Sequence, residues 1–190
     1  MPDTLLEQHA EALRLFGEYV RAIADDQWGA PTPCTEWNVR ELVNHVTGEQ
    51  LWIPPLVTDG RTVEDVGEEL SGDVLGEDPA AAWEQAAAAA HAAFTAPGAL
   101  DRTVRLSYGP ALGSAYCSEL TADCVVHTWD LARAIGADDR LPEALVEFSI
   151  KEVMPYAEGL AASGAYDPPV EIPAGANAQT RLLALVGRRG

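Results

Sequence analysis

From Leu120 to Ala134 the chain contains no glycine or proline, and Leu120, Cys124, Val125, Leu131 and Ala134 recur at helical intervals. The run predicts one long helix, and its polar members restrict what that helix can belong to. Asp123 and His127 are four residues apart, one turn along the same face, and Asp130 projects from nearly the same stripe three residues further on. A carboxylate and an imidazole stacked inside an otherwise apolar helix is the arrangement by which a helical bundle holds a divalent metal.

The rest of the chain supplies partners for such a helix. Leu5, Leu6, Leu13, Leu15, Phe16, Val20 and Ile23 predict a first helix from Thr4 to about Asp25, with Asp3 or Thr4 as its N-cap. Pro31 to Thr35 interrupts the chain before a second helix, which Thr35 is placed to cap. Trp37, Val39, Leu42, Val43 and Val46 give that helix its apolar face, and Pro54-Pro55 ends or kinks it. Residues 58 to 78 read as a solvated connection. Asp78-Pro79 signals the start of a third, alanine-rich helix over 80–96. Thr103 to Tyr108 reads as a short extended segment ended by Gly109-Pro110. The fourth helix is expected over 114–135 with Gly136 as its C-cap, and a fifth over about 142–162. The stretch 168–190 reads as partly extended, with a helical turn over 181–186.

Four substantial helices and one more near the C-terminus predict an all-α bundle, one domain over 1–190, with the bundle in about 4–162 and an extension in 163–190. The 12 basic and 30 acidic residues give a net charge of −18, which repels phosphate backbones and anionic headgroups and argues against nucleic-acid or membrane-surface binding. Met1 to Thr4 leads into an amphipathic segment rather than a basic leader with an apolar core. Cys34, Cys117 and Cys124 are odd in number and lack CxxC spacing. Cys117 and Cys124 would stand roughly 10 Å apart on one helix, too far to bridge. A reduced, cytoplasmic protein is the simplest reading. No GxGxxG, P-loop or GxSxG motif supports a nucleotide cofactor or a hydrolase elbow.

On the second helix His45 is flanked by positions that should face the core, so His45, Asp123 and His127 can converge on one point. Two imidazoles and one carboxylate leave a coordination position open, as in catalytic zinc and nickel sites. The alternative is that both histidines are half-buried and simply hydrogen-bonded. Asp130 either orients His127 or points past it toward Arg133. Trp37 and Trp129 read as packing residues, and His91 as solvent-facing or a rim residue. His9 has no evident partner. Glu41 and Glu49, one turn either side of His45, are spare ligand candidates.

The segments Pro31 to Val46 and Val126 to Gly136 resemble the second-helix and fourth-helix signatures of the DinB-like (DinB/YfiT) superfamily, and Leu182 to Arg188 resembles its ending. The resemblance is to the actinobacterial branch that contains the N-terminal domain of mycothiol-dependent maleylpyruvate isomerase. It implies a four-helix bundle whose divalent metal, often zinc or nickel, is held by one histidine of the second helix and two ligands of the fourth: here His45, Asp123 and His127. The middle ligand is a glutamate in the isomerase and a histidine in many relatives, so Asp123 departs in type, with a shorter arm. The resemblance further implies a small-molecule thiol and an electrophile as partners, mycothiol being the thiol if the source is an actinobacterium. A homodimer is common in the superfamily. The single lysine, Lys151, amid abundant alanine, glycine, aspartate and arginine fits a GC-rich genome. The isomerase carries a second domain after its bundle. About 25 residues remain here after the fifth helix, so the expectation is a related thiol transferase or isomerase-like enzyme rather than maleylpyruvate isomerase itself. The alternative is a non-catalytic metal-binding sensor, stress or binding module.

Overall fold

The computed structural model describes residues 2–67, 69–157, 159 and 166–190. Among them the chain is overwhelmingly helical: α1 Pro2–Ala22, α2 Val39–Ile53, a short α3 Val63–Val66, α4 Pro79–Thr95, α5 Gly113–Ile135, α6 Glu143–Val153 and α7 Ala178–Leu185. Helices α1, α4, α2 and α5 pack in that cyclic order, each against the next and α5 back against α1, which makes the four-helix bundle. α6 covers the outer side of α5, and α7 packs on α6. The DinB-like bundle expected from the sequence is thus the observed fold.

Local chemistry sets the ends of these helices. α1 buries His9, Ala12, Leu13, Phe16 and Val20 at helical spacing. It starts at Pro2, so Asp3 and Thr4 lie inside its first turn rather than at the N-cap position, and it stops at Ala22, short of Asp25. The cap of α2 is Asn38 rather than Thr35. The Asn38 side chain accepts from the Glu41 backbone N–H at 3.0 Å while Glu41 accepts from the Asn38 N–H at 2.9 Å. This reciprocal box satisfies two orphan donors and contributes about 1 kcal/mol. It also commits Glu41 to the helix end, which removes it from the ligand candidates. Asp78 caps α4 as expected, accepting from Ala81 N–H at 3.0 Å.

The extended segment is one arm of a hairpin, β1 Thr103–Leu106 paired antiparallel with β2 Gly109–Leu112. The second arm was illegible because Gly109-Pro110-Ala111-Leu112 carries no strand alternation. The fifth helix is shorter than expected within the described residues: α6 ends at Val153 and a 3-10 turn follows over Met154–Tyr156. The expected end of that helix near 162 lies outside the described residues. α7 is longer than the single turn expected at 181–186, because Asn177 caps it, accepting from Thr180 N–H at 2.8 Å.

α5 is the axis of the structure. Tyr116, Cys117, the three residues from Leu120 to Ala122, and every residue from Cys124 to Ala132 are buried, as befits a helix flanked by α1, α2 and α6. Its buried threonines return their hydroxyls to the carbonyls one turn back, Thr121 to Cys117 at 2.6 Å and Thr128 to Cys124 at 2.7 Å. Gly136 ends the helix in the left-handed region (φ +70°). Among the described residues no helix is long and apolar enough to cross a membrane.

Candidate metal centre

Three donors meet where α2 faces α5. Asp123 Oδ1 lies 3.4 Å from His127 Nε2, and Asp123 Oδ2 lies 3.8 Å from His45 Nε2. One ligand atom from each residue lies within 4.8 Å of the others. Zinc bonded at about 2.0–2.2 Å to each of three such donors needs them about 3.4 Å apart, close to the separations of Asp123 from the two rings. Two nitrogens and a carboxylate oxygen are the donor types that suit zinc or nickel. The shorter arm of Asp123 still reaches between both rings.

His127 is fixed from behind. Its Nδ1–H donates to Asp130 Oδ2 at 2.9 Å, which directs Nε2 at Asp123 and His45. Asp130 is fully buried and receives two further bonds from Arg188, Nη2 to Oδ2 at 3.0 Å and Nε to Oδ1 at 3.3 Å. It does not pair with Arg133, which bonds Asp139 at 3.0 Å and lies over the Trp129 ring. Burial works against all three charged groups, and their partners outweigh it. The His127 and His45 rings hold Asp123 well below the usual carboxylate range, and His127 with Arg188 holds Asp130 below it. Asp123 and Asp130, one at each ring nitrogen, hold the His127 imidazole well above its usual range.

Sequence reasoning missed Arg188 and the two further residues that complete this shell, Tyr166 and Cys34. Tyr166 donates its hydroxyl to Asp123 Oδ1 at 2.6 Å and lies under the Arg188 guanidinium, 5.0 Å from ring centre to carbon. Cys34 donates to Asp130 Oδ2 at 3.2 Å and accepts from Arg188 Nη2 at 2.7 Å. Local structure delivers both Cys34 and Arg188. The loop before α2 is closed by Val39 N–H to Ala30 C=O at 3.0 Å, and inside it Thr32 Oγ1 accepts from Cys34 N–H at 3.1 Å and donates to the Trp37 carbonyl at 2.8 Å. Arg188 follows a helix stop: Gly187 N–H bonds Ala184 C=O and Arg188 N–H bonds Leu183 C=O, with Gly187 left-handed at φ +77°. A Cβ at Gly187 would stand 2.3 Å from the Asp167 Cβ, so only glycine permits this turn.

Cys34, His127 and Asp130 also approach closely enough to hold an ion. The guanidinium of Arg188 already occupies the cation position between Cys34 and Asp130, so a divalent metal there would meet a fixed positive charge. The group of His45, Asp123 and His127 is therefore the candidate centre.

That centre forms the floor of a cavity of about 1150 Å³ lined by residues that include Cys34, Trp37, Glu49, Tyr166 and Arg188. Trp37, expected to serve packing, does pack, its ring 4.5 Å from that of His45, yet it also forms cavity wall. Trp129 is buried in the core. Glu49 lines the cavity, its carboxyl pushed up by burial and then by Asp123. His91 is not among the cavity-lining residues. It meets His9, Nδ1 to Nδ1 at 3.4 Å, at the contact of α1 with α4.

Comparison with known proteins follows the same outline. Residues 9–132 match the family described as mycothiol maleylpyruvate isomerase N-terminal domain, a span that includes His45, Asp123, His127 and Asp130 but neither Tyr166 nor Arg188. Uncharacterized proteins from two strains of Mycobacterium tuberculosis are each 35% identical over 152 residues, covering 75% of this chain and 74% of theirs. Among solved structures, a mutant of mycothiol-dependent maleylpyruvate isomerase superposes with a TM-score of 0.62 at 15% identity, covering 80% of this chain and 69% of that one. At that identity the likeness establishes the fold.

Proposed function

The chain belongs to the mycothiol maleylpyruvate isomerase N-terminal domain family, and from that premise we propose a divalent-metal-dependent enzyme that acts through a small-molecule thiol, as a transferase or an isomerase-related activity. The observation that carries the reading is the convergence of His45, Asp123 and His127 on the floor of a cavity large enough for a thiol and a second reactant.

When bound, zinc or nickel would lower the pKa of a thiol, so that it could react as a thiolate at neutral pH. The residues of the chain do the rest. His45, Asp123 and His127 would hold the ion, the two imidazoles as neutral ligands and the carboxylate with one negative charge. Asp130 keeps the remaining His127 proton on Nδ1, and Arg188 holds Asp130. Glu49, a cavity-wall carboxylate with a raised pKa, is placed to take the thiol proton on a carboxylate oxygen. The Trp37 ring covers one side of His45 and keeps bulk water from that ligand. Mycothiol is the thiol to which the family points, and chemistry of this kind belongs in a reducing compartment such as the cytoplasm.

Transfer of mycothiol to monochlorobimane tests this reading. Protein stripped by a chelator is expected to lose at least about a hundredfold in rate, and one equivalent of zinc or nickel to restore it. Turnover that survives complete metal removal overturns the mechanism. Stoichiometric uptake with no turnover would instead make the protein a non-catalytic metal-binding module.

A further inference from the structure

The mouth of the cavity differs in character from its floor. Tyr108, at the tip of the hairpin, and Tyr156, in the turn after α6, are 66% and 38% exposed, and both rings line the cavity. Each hydroxyl donates to a glutamate that lines it too, Tyr108 to Glu119 of α5 and Tyr156 to Glu152 of α6. Among the described residues neither glutamate is in an ion pair with an arginine or lysine. Glu152 has its carboxyl pushed up by burial and then by the charge of Glu119, as expected of two carboxylates that face one space without a counter-ion.

The rest of the wall continues that imbalance. Glu36, Glu49, Glu119, Asp123, Glu152 and Asp167 line the cavity, against Arg188 as the one lining arginine or lysine among the described residues. Four of the five guanidinium N–H groups of Arg188 go to Asp130, Cys34 and the Val186 carbonyl, and the residue is buried, so it has little left to offer a substrate carboxylate. A dicarboxylate entering here would pass two carboxylates and find no free lysine or arginine among the described lining residues to receive it. A positively charged group would find aromatic faces and negative charge together, the pairing that recognises organic ammonium ions.

We infer that the mouth formed by Tyr108, Glu119, Glu152 and Tyr156 binds the positively charged end of a small organic cation, an amine- or ammonium-bearing co-substrate, and disfavours carboxylates. The inference rests on the proposed function only in treating the cavity as the reactant site. It places the charged group at the mouth and the reacting centre toward His45 and His127.

Calorimetric titration of the zinc-loaded full chain at pH 8 with benzyltrimethylammonium and with benzenesulfonate tests it without turnover. The ammonium is expected to bind saturably and at least about tenfold more tightly than the sulfonate, and to weaken as salt rises. Glu119→Gln combined with Glu152→Gln should weaken the ammonium by about tenfold, and Tyr108→Ala, at an exposed position, by about threefold. Equal or tighter sulfonate binding, no saturable ammonium binding, or an ammonium affinity unchanged in the glutamine variant overturns the inference. Absence of thiol transfer leaves this readout intact, so loss of the enzymatic reading and loss of the cation site are told apart.

Discussion

His127→Ala is expected to abolish stoichiometric metal binding and, with it, thiol transfer. His127 is 3% exposed, and each of its ring nitrogens has one task, Nε2 toward Asp123 and Nδ1 toward Asp130. Loss of a partner behind a metal ligand costs about 10- to 100-fold in affinity, so loss of the ligand itself should exceed about a hundredfold. Asp130→Asn supplies the graded comparison, with a loss inside that 10- to 100-fold range. His127→Ala keeps the Tyr166–Asp123 and Arg188–Asp130 contacts, whereas Asp130→Asn leaves Arg188 buried beside a neutral side chain and should fold with reduced stability. Zinc titration by competition with a chromophoric chelator reads both effects. In the parent protein the same titration should show affinity rising with pH. The two carboxylates raise the pKa of His127 in the metal-free state, so at lower pH a proton occupies the nitrogen that the metal needs. Unchanged zinc affinity in His127→Ala would remove this histidine from the centre.

Arg188→Met is expected to be the most destabilising substitution near the site. It strips the guanidinium from an Asp130 carboxylate that has no exposure to water. Breaking a buried ion pair from one side costs about 3–5 kcal/mol. His127 remains against Asp130, so the lower end applies, about 3 kcal/mol. For a chain of this length that lowers Tm by roughly 6–12 °C, measurable by circular dichroism. Arg188→Lys should recover only part of the loss, since one ammonium cannot reproduce the paired Nε and Nη2 contacts to the two carboxylate oxygens. Adding Asp130→Asn to Arg188→Met should recover stability, because it removes the stranded charge. A double variant no more stable than Arg188→Met would assign the loss to packing instead.

The contrast between these two residues shows what the sequence could reveal. Asp123, His127 and Asp130 lie on one uninterrupted helix, where spacing alone determines the shared face. The helices of the bundle were legible for the same reason, each carrying its apolar stripe within a single segment. Asn38 is legible as well, in the Asn-x-x-Glu pattern of a capping box, although Thr35 in the proline-rich run before it has the same capping chemistry. Cys34, Tyr166 and Arg188 are a different matter. Cys34 and Arg188 are 154 residues apart in sequence and their side chains are 2.7 Å apart in space. Their meeting depends on a closed loop at one end of the chain and a glycine turn at the other, both docked on α5, and no local periodicity records such docking. The sequence signals that were present, a cysteine in a rigid Pro-Thr-Pro-Cys run and a glycine just before a basic pair, acquire meaning only when the tertiary contacts are known. Asp130 pairs with the distant Arg188 rather than with its i+3 neighbour Arg133, which is engaged by Asp139 and the Trp129 ring.

Anomalous diffraction at the zinc edge from crystals of the zinc-loaded protein tests the centre most directly. A single peak is expected, bonded at about 2.0–2.2 Å to Nε2 of His45, Nε2 of His127 and a carboxylate oxygen of Asp123, with the remaining position facing the cavity. A peak between Cys34 and Asp130, or none within reach of His45 and His127, would contradict it.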